Sequence, residues 1–175
     1  MISINIDYAY YHRKISCAFI DLKYFFESNK IDKMESEISQ QIFIYSSLRK
    51  GFHQDVFHYI TQFFNFVSTA KVNGVLSVVG NDPVATPTTG DNFIKGELYK
   101  INKEEHFSWV FGQLDDYEGL DVEQDEQPSY RRELTTVYND DGSVTQAWIY
   151  WFNGDVSGKP VISSGDILNQ ELTEH

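Results

Sequence analysis

A chain of 175 residues with 41% hydrophobic and 15% aromatic content suits one folded domain with a real core and is unlike a disordered tract. Its formal net charge of −12 argues against nucleic acid and anionic membrane surfaces as partners, since both would repel it. The single cysteine, Cys17, leaves no internal disulfide and points to a reducing, cytoplasmic setting, and no apolar run is long enough to cross a bilayer.

The first 40 residues read as an N-terminal extension, partly helical. Arg13 and Lys14 precede the apolar run 15–20, but Asp21 cuts it short and no small-residue cleavage pattern follows, so a signal peptide is not expected. Ile15, Phe19, Leu22 and Phe26 fall at helical spacing and predict a helix near 15–28. Met34-Glu35-Ser36-Glu37 reads as a natural domain start, which makes 1–33 an appendage and an upstream extension of the reading frame.

From residue 41 the pattern turns β-rich. A short buried strand runs from Gln41 to Tyr45. Between Phe52 and Val67 the apolar residues Val56, Tyr59, Ile60, Phe63, Phe64 and Val67 have helical spacing over at least part of the stretch. Val72 to Val79 reads as a strand ended by Gly80-Asn81-Asp82-Pro83, and Pro83, Pro87 and Gly90 mark a loop after it. Another strand covers Phe93 to Ile101, where Gly96 signals a bulge or a close backbone approach.

Asn102 is placed to cap the next helix, with Glu104 and Glu105 in its first turn and Phe107, Val110, Phe111 and Leu114 as its apolar stripe. Gly119 ends that helix in the left-handed position. After the acidic loop 121–126, Arg131–Tyr138 and Val144–Phe152 form a hairpin around Asn139-Asp140-Asp141-Gly142. Mixed strands with few helices favour an α+β fold, with the domain at 41–155 and a weakly patterned tail at 156–175.

Glu118 is the strongest candidate for chemistry. It sits at a helix C-terminus, where the dipole disfavours a carboxylate, and Asp115 lies three residues before it on the same face. Both effects raise its pKa toward what a general base near neutrality needs; the plain alternative is a solvated acid at a helix end. The turn Ser46-Ser47-Leu48 leaves a strand, so its backbone N–H groups either form an anion-binding nest or close an ordinary strand-ending turn. Neither serine sits in a G-x-S-x-G elbow.

Tyr130 and Arg132 share a strand face and either line a pocket or form cross-strand pairs. Trp148, Tyr150 and Phe152 alternate toward one face as core residues. His53 and His58 are five apart, off one helix face, and His12, His106 and His175 do not cluster. No metal and no cofactor is therefore expected.

Five pieces in order resemble the gamma-glutamyl cyclotransferase family. They are Tyr45-Ser46-Ser47-Leu48-Arg49-Lys50-Gly51, Gly96-Glu97-Leu98-Tyr99, Leu114-Asp115-Asp116-Tyr117-Glu118-Gly119, Tyr130-Arg131-Arg132 and Ala147-Trp148-Ile149-Tyr150. The resemblance spans about 42 to 152 and implies a compact mixed β-barrel with flanking helices and one polar cavity. It implies a small-molecule γ-glutamyl substrate that closes on itself to release 5-oxoproline. It also implies Glu118 as general acid and base, and Tyr45, Ser46, Ser47, Leu48, Tyr130 and Arg132 around the substrate. The family glycine of the first motif is Ser46 here, a departure that bears on the substrate. A binding protein of the same fold without turnover, and an interaction module using the acidic surface, are the competing readings.

Overall fold

Strand β1 (Gln41–Ile44) shows in four residues how the molecule is built. Phe43, and Tyr45 just beyond it, face one core, while Ile42 and Ile44 face another, the two-residue period of a strand. The computed structural model describes residues 40–46, 49, 54–123, 125–169 and 172–173. Apart from Gln40, the extension expected over 1–40, with its helix near 15–28 and Cys17, lies outside the described residues.

After β1 come helix α1 (Gln54–Phe63) and the strands β2 (Phe64–Val79), β3 (Asp82–Pro87) and β4 (Phe93–Ile101). A single 3-10 turn (Glu104–His106) leads into helix α2 (Phe107–Tyr117). The strands β5 (Tyr130–Asn139), β6 (Val144–Phe152), β7 (Val161–Ile162) and β8 (Leu172–Thr173) complete the order. β1 runs antiparallel to β4 and parallel to β6. The pairs β6–β5, β5–β2 and β2–β4 are all antiparallel, so the five strands close on themselves as a mixed barrel. Closure removes most of the free edges an open sheet would expose.

The barrel interior holds Phe43, Leu98, Val137, Ile149 and Trp151 among others. A second core lies outside the wall, where α1 and α2 cover Ile42, Ile44, Tyr99 and Tyr150 with Ile60, Val110, Phe111 and Leu114. Each fully buried aliphatic such as Leu98 or Ile149 contributes about 1.5–3 kcal/mol. Gly96 pairs with Ala70 without a bulge, and a Cβ there would run into the Ile44 carbonyl and the Phe43 ring, so the close approach is the reason for glycine.

Two expectations need correction and one is sharpened. The helical spacing expected over part of 52–67 becomes helix as far as Phe63, and Phe64 already pairs with Ile101 in β4. An apolar Phe63-Phe64 step suits either period, and the sheet takes it. The segment read as a loop at Pro83 and Pro87 is strand β3, which pairs only with β2 among the described strands. Prolines are tolerated on such a rim because no ladder partner needs their missing N–H. Asn102 does not cap α2; its side chain donates to Gln62 O at 2.9 Å at the end of α1, and the helix start carries no side-chain cap.

The 139–142 hairpin forms as expected, with Gly142 at φ 84. Residues 156–169 lie along the barrel: Ile162 and Ile167 are buried in the interior core, and Val161 pairs with Ser77.

Candidate active site

The end of α2 is a Schellman cap. Gly119 has φ 69, its N–H donates to Asp116 O at 3.1 Å, and Leu120 N–H donates to Asp115 O at 2.9 Å. Leu120 and Leu114 join the same core, the apolar contact that accompanies this motif. Glu118 is the C-cap residue (φ −82, ψ −1), so the glycine's freedom fixes where the carboxylate leaves the helix.

That exit directs Glu118 to a cavity of about 10 Å³, lined with it by Ile42, Phe43, Ile44, Tyr45, Ser46 and Tyr150. The volume corresponds to about one water molecule. None of these described lining residues is cationic. Burial pushes the Glu118 carboxyl up to about 7. Asp115, expected to help raise it, is engaged elsewhere, and burial is the cause.

Three phenols surround the acid. Burial first, and then nearby negative charge including Glu118, raise Tyr45 and Tyr130, the latter to about 12. Burial and the hydrogen bond to Asp115 lead the rise of Tyr150, with Glu118 a lesser cause. All three therefore remain neutral near pH 7 and can only donate or accept hydrogen bonds. Tyr45 Oη donates to Tyr150 O at 2.9 Å, so the ring ties the end of β1 to its neighbour β6.

Asp115, one turn before Glu118, accepts from Tyr150 Oη at 2.7 Å and pairs with Arg132 Nη1 at 3.2 Å. That second contact is a charge pair without hydrogen-bond alignment, since Arg132 Nη1 is buried with no hydrogen-bond partner. The Arg132 guanidinium lies over the Phe111 ring at 4.8 Å and the Trp148 ring at 5.0 Å. Arg132 is thus placed to hold α2 against β5 and β6, away from the cavity lining. Tyr130 stacks edge-on with its cross-strand partner Phe152 at 5.5 Å. Of the core residues expected on one face of β6, Tyr150 is buried, while Trp148 and Phe152 are half-buried.

Ser46 lines the same cavity as Glu118, half-buried, while Ser47 and Leu48 lie outside the described residues. No described non-glycine residue has positive φ, so serine at this position carries no left-handed strain. Arg49 N–H donates to Ser46 O at 3.0 Å. The Arg49 side chain is 6% exposed and reaches Asp166 Oδ1 at 2.8 Å. In the sequence it stood out only as a letter of the first motif.

Two larger hollows, of about 400 and 430 Å³, lie on the barrel flank. The carboxylate in the first is Glu133, exposed and paired with Arg131 at 2.8 Å, and the second is lined without an ionisable side chain. A perturbed, partly desolvated acid singles out the Glu118 cavity as the candidate site despite its size. Among the described residues no group of three His, Cys, Asp or Glu is placed to hold a metal ion, and no helix is long and apolar enough to cross a membrane.

Residues 42–169 match the family model for gamma-glutamyl cyclotransferase, AIG2-like proteins. Among solved structures, YkqA from Bacillus subtilis is similar at 24% identity and a TM-score of 0.52, over 73% of this chain and 39% of that one. An AIG2-like protein from Mus musculus is similar at 20% identity and a TM-score of 0.51, over 78% of this chain and 85% of that one. Both likenesses concern the fold, and the chain spans well under half the length of the Bacillus protein. No curated protein matches the chain.

Proposed function

Because the chain belongs to the gamma-glutamyl cyclotransferase, AIG2-like family, we propose that it releases 5-oxoproline from a γ-glutamyl peptide or amine, with Glu118 as general acid and base. The observation that carries this reading is the half-buried Glu118, raised to about 7 and lining one cavity with Ser46.

The substrate supplies its own nucleophile. Glu118 takes a proton from the α-ammonium, whose ordinary pKa is about 8, and a carboxylate near 7 is well matched to that transfer. The freed amine attacks the γ-carbonyl carbon and a new C–N bond closes the five-membered ring. The bond to the leaving nitrogen breaks as Glu118 returns the proton to it, and the carboxylate so restored takes the second proton from the ring nitrogen and passes it to the departing amine, leaving a neutral lactam and an ammonium product. Charge on the carbonyl oxygen in between requires donors, which backbone N–H groups of the 45–48 turn would supply. The attack is intramolecular, so the protein's main task is to hold the glutamyl chain bent. Tyr45 and Tyr130 would pack beside the acid, and Arg132 would keep α2 in place. The lone Cys17 supports a reducing, cytoplasmic setting.

A second reading, a small-metabolite binding protein of the same fold without turnover, is favoured by the narrow cavity and by Ser46 in the place of the family glycine. One assay separates the two: 5-oxoproline release from a panel of γ-glutamyl dipeptides and amines, with Glu118→Gln alongside. Turnover by the native protein and a loss of about 10²–10⁴-fold in the variant is the expected result. Binding of a panel member without release would favour the second reading.

A further inference from the structure

Arg49 is a buried cation that the proposed chemistry leaves unused. Two elements far from it in sequence converge on its guanidinium. Asp166 Oδ1 is 2.8 Å from Nη1, Glu97 Oε1 of β4 is 3.8 Å from Nε, and Lys95 O accepts from Nη1 at 3.4 Å. The last contact is long, so Asp166 is the strong partner. Nε itself has no hydrogen bond, and Glu97 accepts instead from Tyr99 Oη at 2.7 Å.

Asp166 is itself held in place. Its Oδ1 also accepts from Leu168 N–H at 3.1 Å, and its own N–H donates to Ser164 Oγ at 3.2 Å. The preceding Gly165, at φ 62, passes so close to β4 that a Cβ would strike Phe93 O, and its carbonyl accepts from Lys95 N–H at 2.7 Å. The 162–169 loop is therefore fixed to the wall before it offers a carboxylate to Arg49. At the other end of the same residue, Arg49 N–H donates to Ser46 O, the residue that lines the cavity with Glu118.

We propose that Asp166 is a positioning residue: through Arg49 it sets the placement of Ser46, which makes the 162–169 loop part of the site. The functional half of this inference rests on the cyclotransferase reading, and the structural half does not. A segment with weak periodicity thus has a defined task, which is to hold Ser46 in the lining of the Glu118 cavity.

The test uses the full chain and Asp166→Asn, which keeps shape and removes charge. Hydrogen exchange at the Arg49 amide is expected to speed up about tenfold, while barrel amides such as Val72 stay unchanged. With a γ-glutamyl dipeptide found to turn over, KM is expected to rise about 10- to 100-fold with the midpoint of the pH–rate profile unmoved. Asp166→Glu should recover part of the KM. If Asp166→Asn does not fold, Arg49→Lys carries the same measurements. Uniform acceleration across the barrel, or no local change, would overturn the coupling. An inactive native protein would defeat the cyclotransferase reading while the exchange result still decides the positioning.

Discussion

Tyr150 Oη donates to Asp115 Oδ1 at 2.7 Å, and this bond separates two carboxylates that sit one helical turn apart. Asp115 has a phenol and the Arg132 guanidinium as partners. Glu118 has no such partner among the described residues and faces a cavity lined by aliphatic and aromatic side chains with Ser46. One acid is committed to holding α2 on the barrel, and the other is left able to exchange a proton.

The first consequence is a pH profile. Glu118 must be ionised to act as base, so kcat/KM for a γ-glutamyl dipeptide should fall below a midpoint of about pH 7. A plateau extending down to pH 5 would show that another group carries the proton.

Stability should move the opposite way. The folded-state value of about 7 lies above the ordinary 4.5, so the folded protein holds this proton more tightly than the unfolded chain. The stabilising contribution is complete below about 4.5 and is lost as pH rises through about 7. Glu118→Gln has no such dependence. Urea unfolding should show it gaining on the native protein between pH 5 and pH 8, at the expense of activity.

The Arg132–Asp115 pair can be tested by breaking one side. Asp115→Asn leaves the guanidinium between two rings without its counter-charge. The pair is about one-fifth exposed, so the loss should be about 1–2 kcal/mol in urea unfolding, below that of a fully buried pair. Arg132→Met keeps volume and should lose less.

Gly96→Ala tests the barrel wall. The added methyl meets the Ile44 carbonyl and the Phe43 ring, so a loss of about 1–3 kcal/mol, or failure to fold, is expected. Gly112→Ala, in open space on α2, is the control and should be neutral or slightly stabilising.

Ser46→Gly isolates the departure from the family pattern. Since Ser46 does not occupy positive φ, glycine relieves no strain and should lower stability by about 0.5–1 kcal/mol through chain entropy. Its gain is space beside Glu118. Faster release from bulkier γ-glutamyl amines is the expected outcome, and an unchanged substrate profile would show that the hydroxymethyl group lies clear of the substrate.

Much of the fold was legible because its signals are local. The 130–152 hairpin announced itself by alternation around Asn139-Asp140-Asp141-Gly142, and α2 by its stripe from Phe107 to Leu114 and the glycine after it. The candidate acid Glu118 was legible for the same reason, since a Glu at a helix C-cap before glycine is a short-range pattern. What stayed hidden depends on distant partners. Phe64 could not declare itself a strand residue without Ile101 opposite it. Arg132 showed no sign that it faces Asp115, and Arg49 none that it meets Asp166, because such pairs have no spacing rule. The cause of the raised Glu118 pKa was misread likewise: neighbouring charge is visible in one dimension, whereas burial is not.

Pro83 and Pro87, misleading as punctuation, have a consequence for the molecule in a crowded solution. They stand in step with Ala85, two residues from each, which is fully buried. A strand so furnished has almost no donors to offer a stranger. Val84 at its centre is buried besides, so a colliding copy of the chain should find few groups there to pair with.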